Sequence, residues 1–111
     1  MPLPDSPLPI RVLCVDDHQI VREGLAMLIA RQGDMEVAGV AGSGEDAVRL
    51  FEALHADVTL MDLQLGRMTG VDAITAIRRL DPRARIVVLT MFHGDEDIFR
   101  ALDAGAASYV M

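Results

Sequence analysis

Short apolar runs alternate along this chain with longer stretches in which apolar residues recur every three or four positions. Residues 10–15 (IRVLCV) have the run length and β-branched content of a buried strand and close on Asp16-Asp17. In 18–31, apolar residues at Ile20, Val21, Leu25, Leu28 and Ile29 have the spacing of an amphipathic helix. Residues 36–41 form a second, weaker strand. Gly42-Ser43-Gly44 then makes a turn in which Ser43 or Gly44 can cap a helix over 45–55, with Ala47, Val48, Phe51 and Leu54 as its apolar face. Residues 58–61 (VTLM) predict a third strand, followed by a loop over 63–69. A third helix over 71–80 is built on Ile74 and Ile77 and stopped by Asp81-Pro82. Residues 85–90 (RIVVLT) are the most β-branched run. The fourth helix, over 95–104, ends at Gly105 in the position of a C-cap, and 107–111 begins a fifth strand.

Strands alternating with helices in this way predict an α/β domain. Its sheet is parallel, its helices cover both faces and its crossovers are right-handed. In such sheets ligands bind at the carboxyl ends of the strands, near the point where strand order reverses. Asp16 and Asp17 end the first strand, Asp62 the third and Thr90 the fourth, so four polar residues distant in sequence are expected on one edge. Singly, each has an ordinary structural explanation: the aspartate pair as a helix cap, Asp62 as the start of a loop, Thr90 as a strand-end hydroxyl. Jointly they do not. Three clustered carboxylates repel one another unless a cation sits among them, and a hard divalent ion such as Mg²⁺ takes oxygen ligands and pairs carboxylates with phosphate. A carboxylate in such a site can attack a phosphoryl group and a nearby hydroxyl can hydrogen-bond the transferred oxygens.

Composition narrows this further. The 111 residues suffice for one domain with a real core, and 51% of them are hydrophobic. A net charge of −7 without a contiguous basic patch argues against nucleic-acid binding by this domain, since phosphate contacts supply most of that affinity. All ten basic residues are Arg. The single Cys14 cannot form an internal disulfide, which fits a reducing cytoplasm, and reads as a small buried strand residue. No segment reaches the roughly 18 apolar residues of a membrane span. Residues 1–9 (MPLPDSPLP) carry four prolines and read as a flexible leader without a signal-peptide core, leaving 10–111 as the folded unit.

The stretches VLCVDDHQIVREGL, VTLMDLQL…TG, VVLTMF and GAASYVM together resemble the receiver domain of two-component response regulators, over about residues 10–111. The opening VDDHxxVREGL is similar to the NarL/FixJ-like subgroup, whose full-length members carry a C-terminal LuxR-type helix-turn-helix DNA-binding domain. The resemblance implies a flavodoxin-like doubly wound sheet of five parallel strands in the order 2-1-3-4-5. It implies that Asp62 accepts a phosphoryl group from a sensor histidine kinase. Asp17 would bind Mg²⁺ directly, with Asp16 assisting through water, and Asp62 and the Gln64 backbone carbonyl would complete the metal's protein ligands. Thr90 would contact the phosphoryl group and shift with it, and Tyr109 would be the aromatic that moves in concert. The module would be cytoplasmic and a switch rather than an enzyme, assisting only its own phosphorylation and dephosphorylation. His18, by contrast, reads as a first-turn surface residue, because a hard Mg²⁺ site prefers oxygen. His55 and His93 have no partner at ligand spacing.

Two departures from the family pattern shape the expectations. Leu65-Gly66 stands where the family has Met-Pro, which makes that loop more permissive. The family also places a lysine just beyond the fifth strand, at position 112 by count, followed by a last helix. The chain stops at Met111, so the expectation is a truncated receiver that covers its open sheet face by homodimerisation or higher self-association. Two other functions compete: a pseudo-receiver acting only as a protein-binding surface, and a Mg²⁺-dependent phosphohydrolase with an aspartyl nucleophile. The hydrolase reading is weakened by Gln64, which occupies the position where such enzymes add a second acidic residue.

Overall fold

The computed structural model describes residues 8–89 and 95–110. Nine elements follow in strict alternation: β1 Ile10–Val15, α1 Gln19–Ala30, β2 Met35–Ala41, α2 Gly44–Leu54, β3 Val58–Asp62, α3 Gly70–Leu80, β4 Arg85–Leu89, α4 Asp95–Ala104 and β5 Ser108–Val110. The strands form one sheet in the order β2-β1-β3-β4-β5, every pair parallel. This is the expected doubly wound architecture. Chain order reverses across β1, which has β2 on one side and β3 on the other, so the crevice between diverging connections opens at the carboxyl ends of β1 and β3.

Alternation along β1 explains how the two faces are filled. Leu13 and Val15 join Met61, Ile86 and Val88 in a core with Ala47 and Phe51 of α2, Ala73, Ile74 and Ile77 of α3, and Ala101 of α4. Val12 and Cys14 point the other way, to Ile29 and Leu25 of α1. Phe51, Ile74 and Ile77 are essentially removed from solvent, and each contributes roughly 1.5–3 kcal/mol of burial free energy. On the α1 side the cover thins away from β1: Val87 and Leu89 are half-buried, and Val110 is 53% exposed. The register between β1 and β2 slips after Val12, which pairs with Val37 while Leu13 pairs with Gly39, leaving Ala38 as a bulge. The isolated Gly39 beside it is the local signal in β2.

Local chemistry sets the helix ends. Ser43 caps α2, its hydroxyl accepting from Asp46 N at 3.1 Å. Thr69 caps α3 through a full capping box, accepting from Asp72 N at 3.1 Å while the Asp72 carboxylate accepts from Thr69 N at 3.3 Å. That box draws α3 back one residue from the predicted start, to Gly70. Gly105 closes α4 with a φ of +121°, a left-handed conformation that favours glycine. Third, β3 runs one residue longer than expected: Asp62 is itself a strand residue, paired in register with Leu89.

Candidate phosphoacceptor and metal site

The site is built on two strand ends. β1 finishes at Val15, and Asp16 is held against the neighbouring strand by its backbone N–H, which donates to Ala41 O at 3.1 Å. The Asp16 carboxylate then turns back and accepts from His18 N at 2.8 Å, an Asx turn that leads the chain into α1. The helix cap proper is His18, whose side chain makes no capping bond. Arg22, one turn into α1, reaches back to donate to Asp16 O at 2.8 Å. Its guanidinium lies against Gly42, where an added Cβ would stand 3.0 Å from Nη1. The loops after β1 and β2 are thereby tied by one arginine.

Opposite, β3 carries Asp62 to the same edge. Its carboxylate accepts from Gln64 N at 3.2 Å, which orients it at the mouth of the β3–α3 loop. That loop is pinned at three places. Leu65 is buried in the core, Met68 N donates to Glu45 Oε1 at 3.1 Å, and Gly70 N donates to Leu63 O at 3.0 Å. Gly66 has open space around its Cα and no positive φ, so the loop makes no use of the freedom expected of Leu65-Gly66.

Asp16, Asp17, His18 and Asp62 each offer a ligand atom, and these atoms all lie within 4.8 Å of one another. Asp16 and Asp62 are buried, at 6% and 9% exposure, whereas Asp17 faces solvent. Two buried carboxylates and one exposed one, gathered in a space the size of a coordination sphere, fit a hard divalent cation that keeps part of its water. The donor set agrees with Mg²⁺ on chemistry as well as on spacing. Gln64 lies in the loop immediately after Asp62. Thr90 lies outside the described residues. Tyr109 is in β5, its backbone in register with Val88 beside the strand that carries Leu89.

His18, read from the sequence as a first-turn surface residue, is exposed as expected but lies against the aspartate pair. Its Nδ1 is 3.0 Å from Asp16 Oδ1 and 2.9 Å from Asp17 Oδ1. The hydrogen bond to Asp16, and then the charges of Asp17, Asp16 and more weakly Asp62, hold the imidazole above the usual histidine range. Adjacency to the aspartate pair was the one available signal. It is weak, because the ring's direction depends on a loop conformation that periodicity does not encode.

The family model of the response regulator receiver domain matches residues 12–111. The chain belongs to the response regulator receiver domain family. Among curated relatives of this receiver domain, the response regulator protein VraR of Staphylococcus epidermidis is 43% identical over 102 residues, which are 92% of this chain and 49% of the relative. The chain thus spans about half the length of the curated relatives it matches. A two-component response regulator of the LuxR family from Aurantimonas sp. superposes with a TM-score of 0.87 at 39% identity, covering 91% of this chain and 72% of that one. A response regulator from Burkholderia pseudomallei, solved with a phosphorylated aspartic acid, a calcium ion and citrate, superposes with a TM-score of 0.79 at 30% identity, over 89% and 57% of the two chains. Two-component signalling through phosphorylation is the business of the family, and the LuxR-family relatives place the receiver within that subgroup. Among the described residues, no helix is long and apolar enough to cross a membrane.

Proposed function

We propose that residues 10–111 act as the phosphorylation switch of a longer transcription regulator, with Asp62 as phosphoacceptor. One observation carries the reading: β1 and β3 deliver Asp16, Asp17 and Asp62 to a single edge with their ligand atoms within 4.8 Å. The donor is a phosphohistidine of a sensor histidine kinase. A carboxylate oxygen of Asp62 attacks phosphorus, the P–O bond forms as the P–N bond to the donor imidazole breaks, and the imidazole nitrogen leaves with the electron pair and takes a proton. The hydrogen bond from Gln64 N to Oδ1 holds the carboxylate at the mouth of the β3–α3 loop. Burial of Asp16 and Asp62 keeps both carboxylates in place and limits competing water.

Asp16, Asp17, Asp62 and the Gln64 carbonyl would hold Mg²⁺, which when bound supplies charge neutralisation for the phosphoryl oxygens. Thr90 and Tyr109 are the residues through which phosphorylation alters the β4–β5 edge, and that edge passes the change to a DNA-binding region or to a second receiver. The module works in the cytoplasm beside its kinase. It is a signalling protein that assists its own phosphorylation and hydrolysis, without an external substrate of its own.

Intact-mass measurement after treatment with acetyl phosphate and Mg²⁺ tests this. The wild type gains one phosphoryl group that hydroxylamine removes, and Asp62→Asn gains none. An adduct of equal yield on the Asp62→Asn protein overturns the assignment of Asp62. A folded wild type that never forms the adduct is instead a pseudo-receiver.

A further inference from the structure

We propose that His18 is a nitrogen ligand of this cation site, and that it biases the site toward borderline divalent ions such as Co²⁺ and Zn²⁺ in addition to Mg²⁺. The inference rests on the carboxylate cluster proposed above but concerns a residue outside that set. Its basis is geometric. Around an octahedral ion with ligand distances of about 2.1 Å, neighbouring ligands stand roughly 3.0 Å apart. His18 Nδ1 stands 3.0 Å from Asp16 Oδ1 and 2.9 Å from Asp17 Oδ1. The imidazole nitrogen therefore already occupies the place of a ligand adjacent to both carboxylates, and the fourth donor, on Asp62, lies within 4.8 Å of all of them. An ion placed among these atoms lies within reach of Nδ1 as well as of the three carboxylates.

The surroundings permit exchange. The His18 side chain is 70% exposed and makes no capping bond, so binding neither disrupts the core nor sacrifices the start of α1. Hardness then decides which ions gain. Mg²⁺ prefers oxygen and holds water, so it can leave the imidazole aside, whereas imidazole suits Co²⁺ and Zn²⁺, which also stand higher in the divalent affinity order. The site so described holds three carboxylates and one imidazole, and its selectivity among cations depends on a residue that phosphoryl chemistry does not require.

Calorimetric titration of Mg²⁺, Co²⁺ and Zn²⁺ into the chain separates the roles. His18→Asn keeps a good helix cap while removing the ring. It is expected to weaken Co²⁺ and Zn²⁺ tenfold or more and Mg²⁺ by less than about threefold. In the wild type, diamagnetic Zn²⁺ should shift the imidazole ¹⁵Nδ1 NMR signal of His18 far more than that of His55, a readout of nitrogen ligation independent of any variant's folding. Equal weakening of Mg²⁺ and Co²⁺ by His18→Asn, unchanged Co²⁺ affinity, or unshifted His18 signals overturn the inference while leaving the carboxylate site standing. Cation binding that survives intact in Asp62→Asn, or a wild type that binds none of the three ions, overturns the proposed cation site itself.

Discussion

Gly70 offers a direct way to test how rigidly the fold presents Asp62. A Cβ added there would run into the carbonyl oxygen of Asp62, with the Cα of Leu63 at 2.6 Å and the carbonyl carbon of Asp62 at 3.2 Å. These are backbone atoms on the segment that leaves β3, so no side chain can swing aside. Carbon atoms at rest stand about 3.5–4.0 Å apart, and Gly70→Ala must therefore push α3 and the end of β3 apart by roughly an ångström. Overpacking of this kind typically costs about 1–3 kcal/mol. Against it stands at most about 1 kcal/mol, the advantage of Ala over Gly in a helix. The expected net loss is about 1–2 kcal/mol. At about 4–8 °C per kcal/mol for a domain near this size, that lowers Tm by several degrees. Gly24 provides the matched control: it sits inside α1 with nothing within 4 Å of an added Cβ. Gly24→Ala should gain about 0.5–1 kcal/mol. Urea unfolding of both variants, followed by far-ultraviolet circular dichroism, measures the pair. If Gly70→Ala is as stable as wild type with an unchanged m value, the close approach of α3 to β3 is not what holds Asp62, and the reasoning fails.

Two further outcomes follow from buried groups. The Thr59 hydroxyl is buried in β3 without a hydrogen-bond partner in the described structure, so Thr59→Val should stabilise by about 1 kcal/mol, read as a higher urea midpoint; a destabilised variant would mean that the hydroxyl is paired. Burial pushes the Cys14 thiol up from 9.0 to about 11. The folded pKa lies above the unfolded one, so the stability tied to this group is full below pH 9 and is lost as pH rises toward 11. Unfolding midpoints should fall across that window in the wild type and less in Cys14→Ala, and a thiol-exchange reagent should label native Cys14 only as fast as the chain opens.

The α/β class, the element order and the edge on which the acidic residues meet were all legible in the amino-acid pattern. Period two against period three-to-four is a local property, and parallel connectivity follows from the alternation itself. The capping box at Thr69 and Asp72 was equally local and could have been read from TGVD, which would have placed the start of α3 at Gly70. Asp62 and the aspartate pair were found because a strand that ends on a carboxylate breaks its own apolar pattern.

What the sequence by itself determined is therefore whatever depends on neighbours along the chain: which segments are strands, which helix faces are apolar, and which residues stand at strand ends. Only the tertiary structure decided how far apart the groups from different strands come to rest. It placed Asp62 inside β3 through its pairing with Leu89, and it set the bulge at Ala38 through the fit of β2 on β1. It also turned the His18 ring onto Asp16 and Asp17, because Arg22 and the backbone of β2 hold the intervening loop in one conformation. The physical reason is the same in each case. Distances between remote side chains are fixed by packing and register, and those are balances over the whole domain that no short stretch of chain contains.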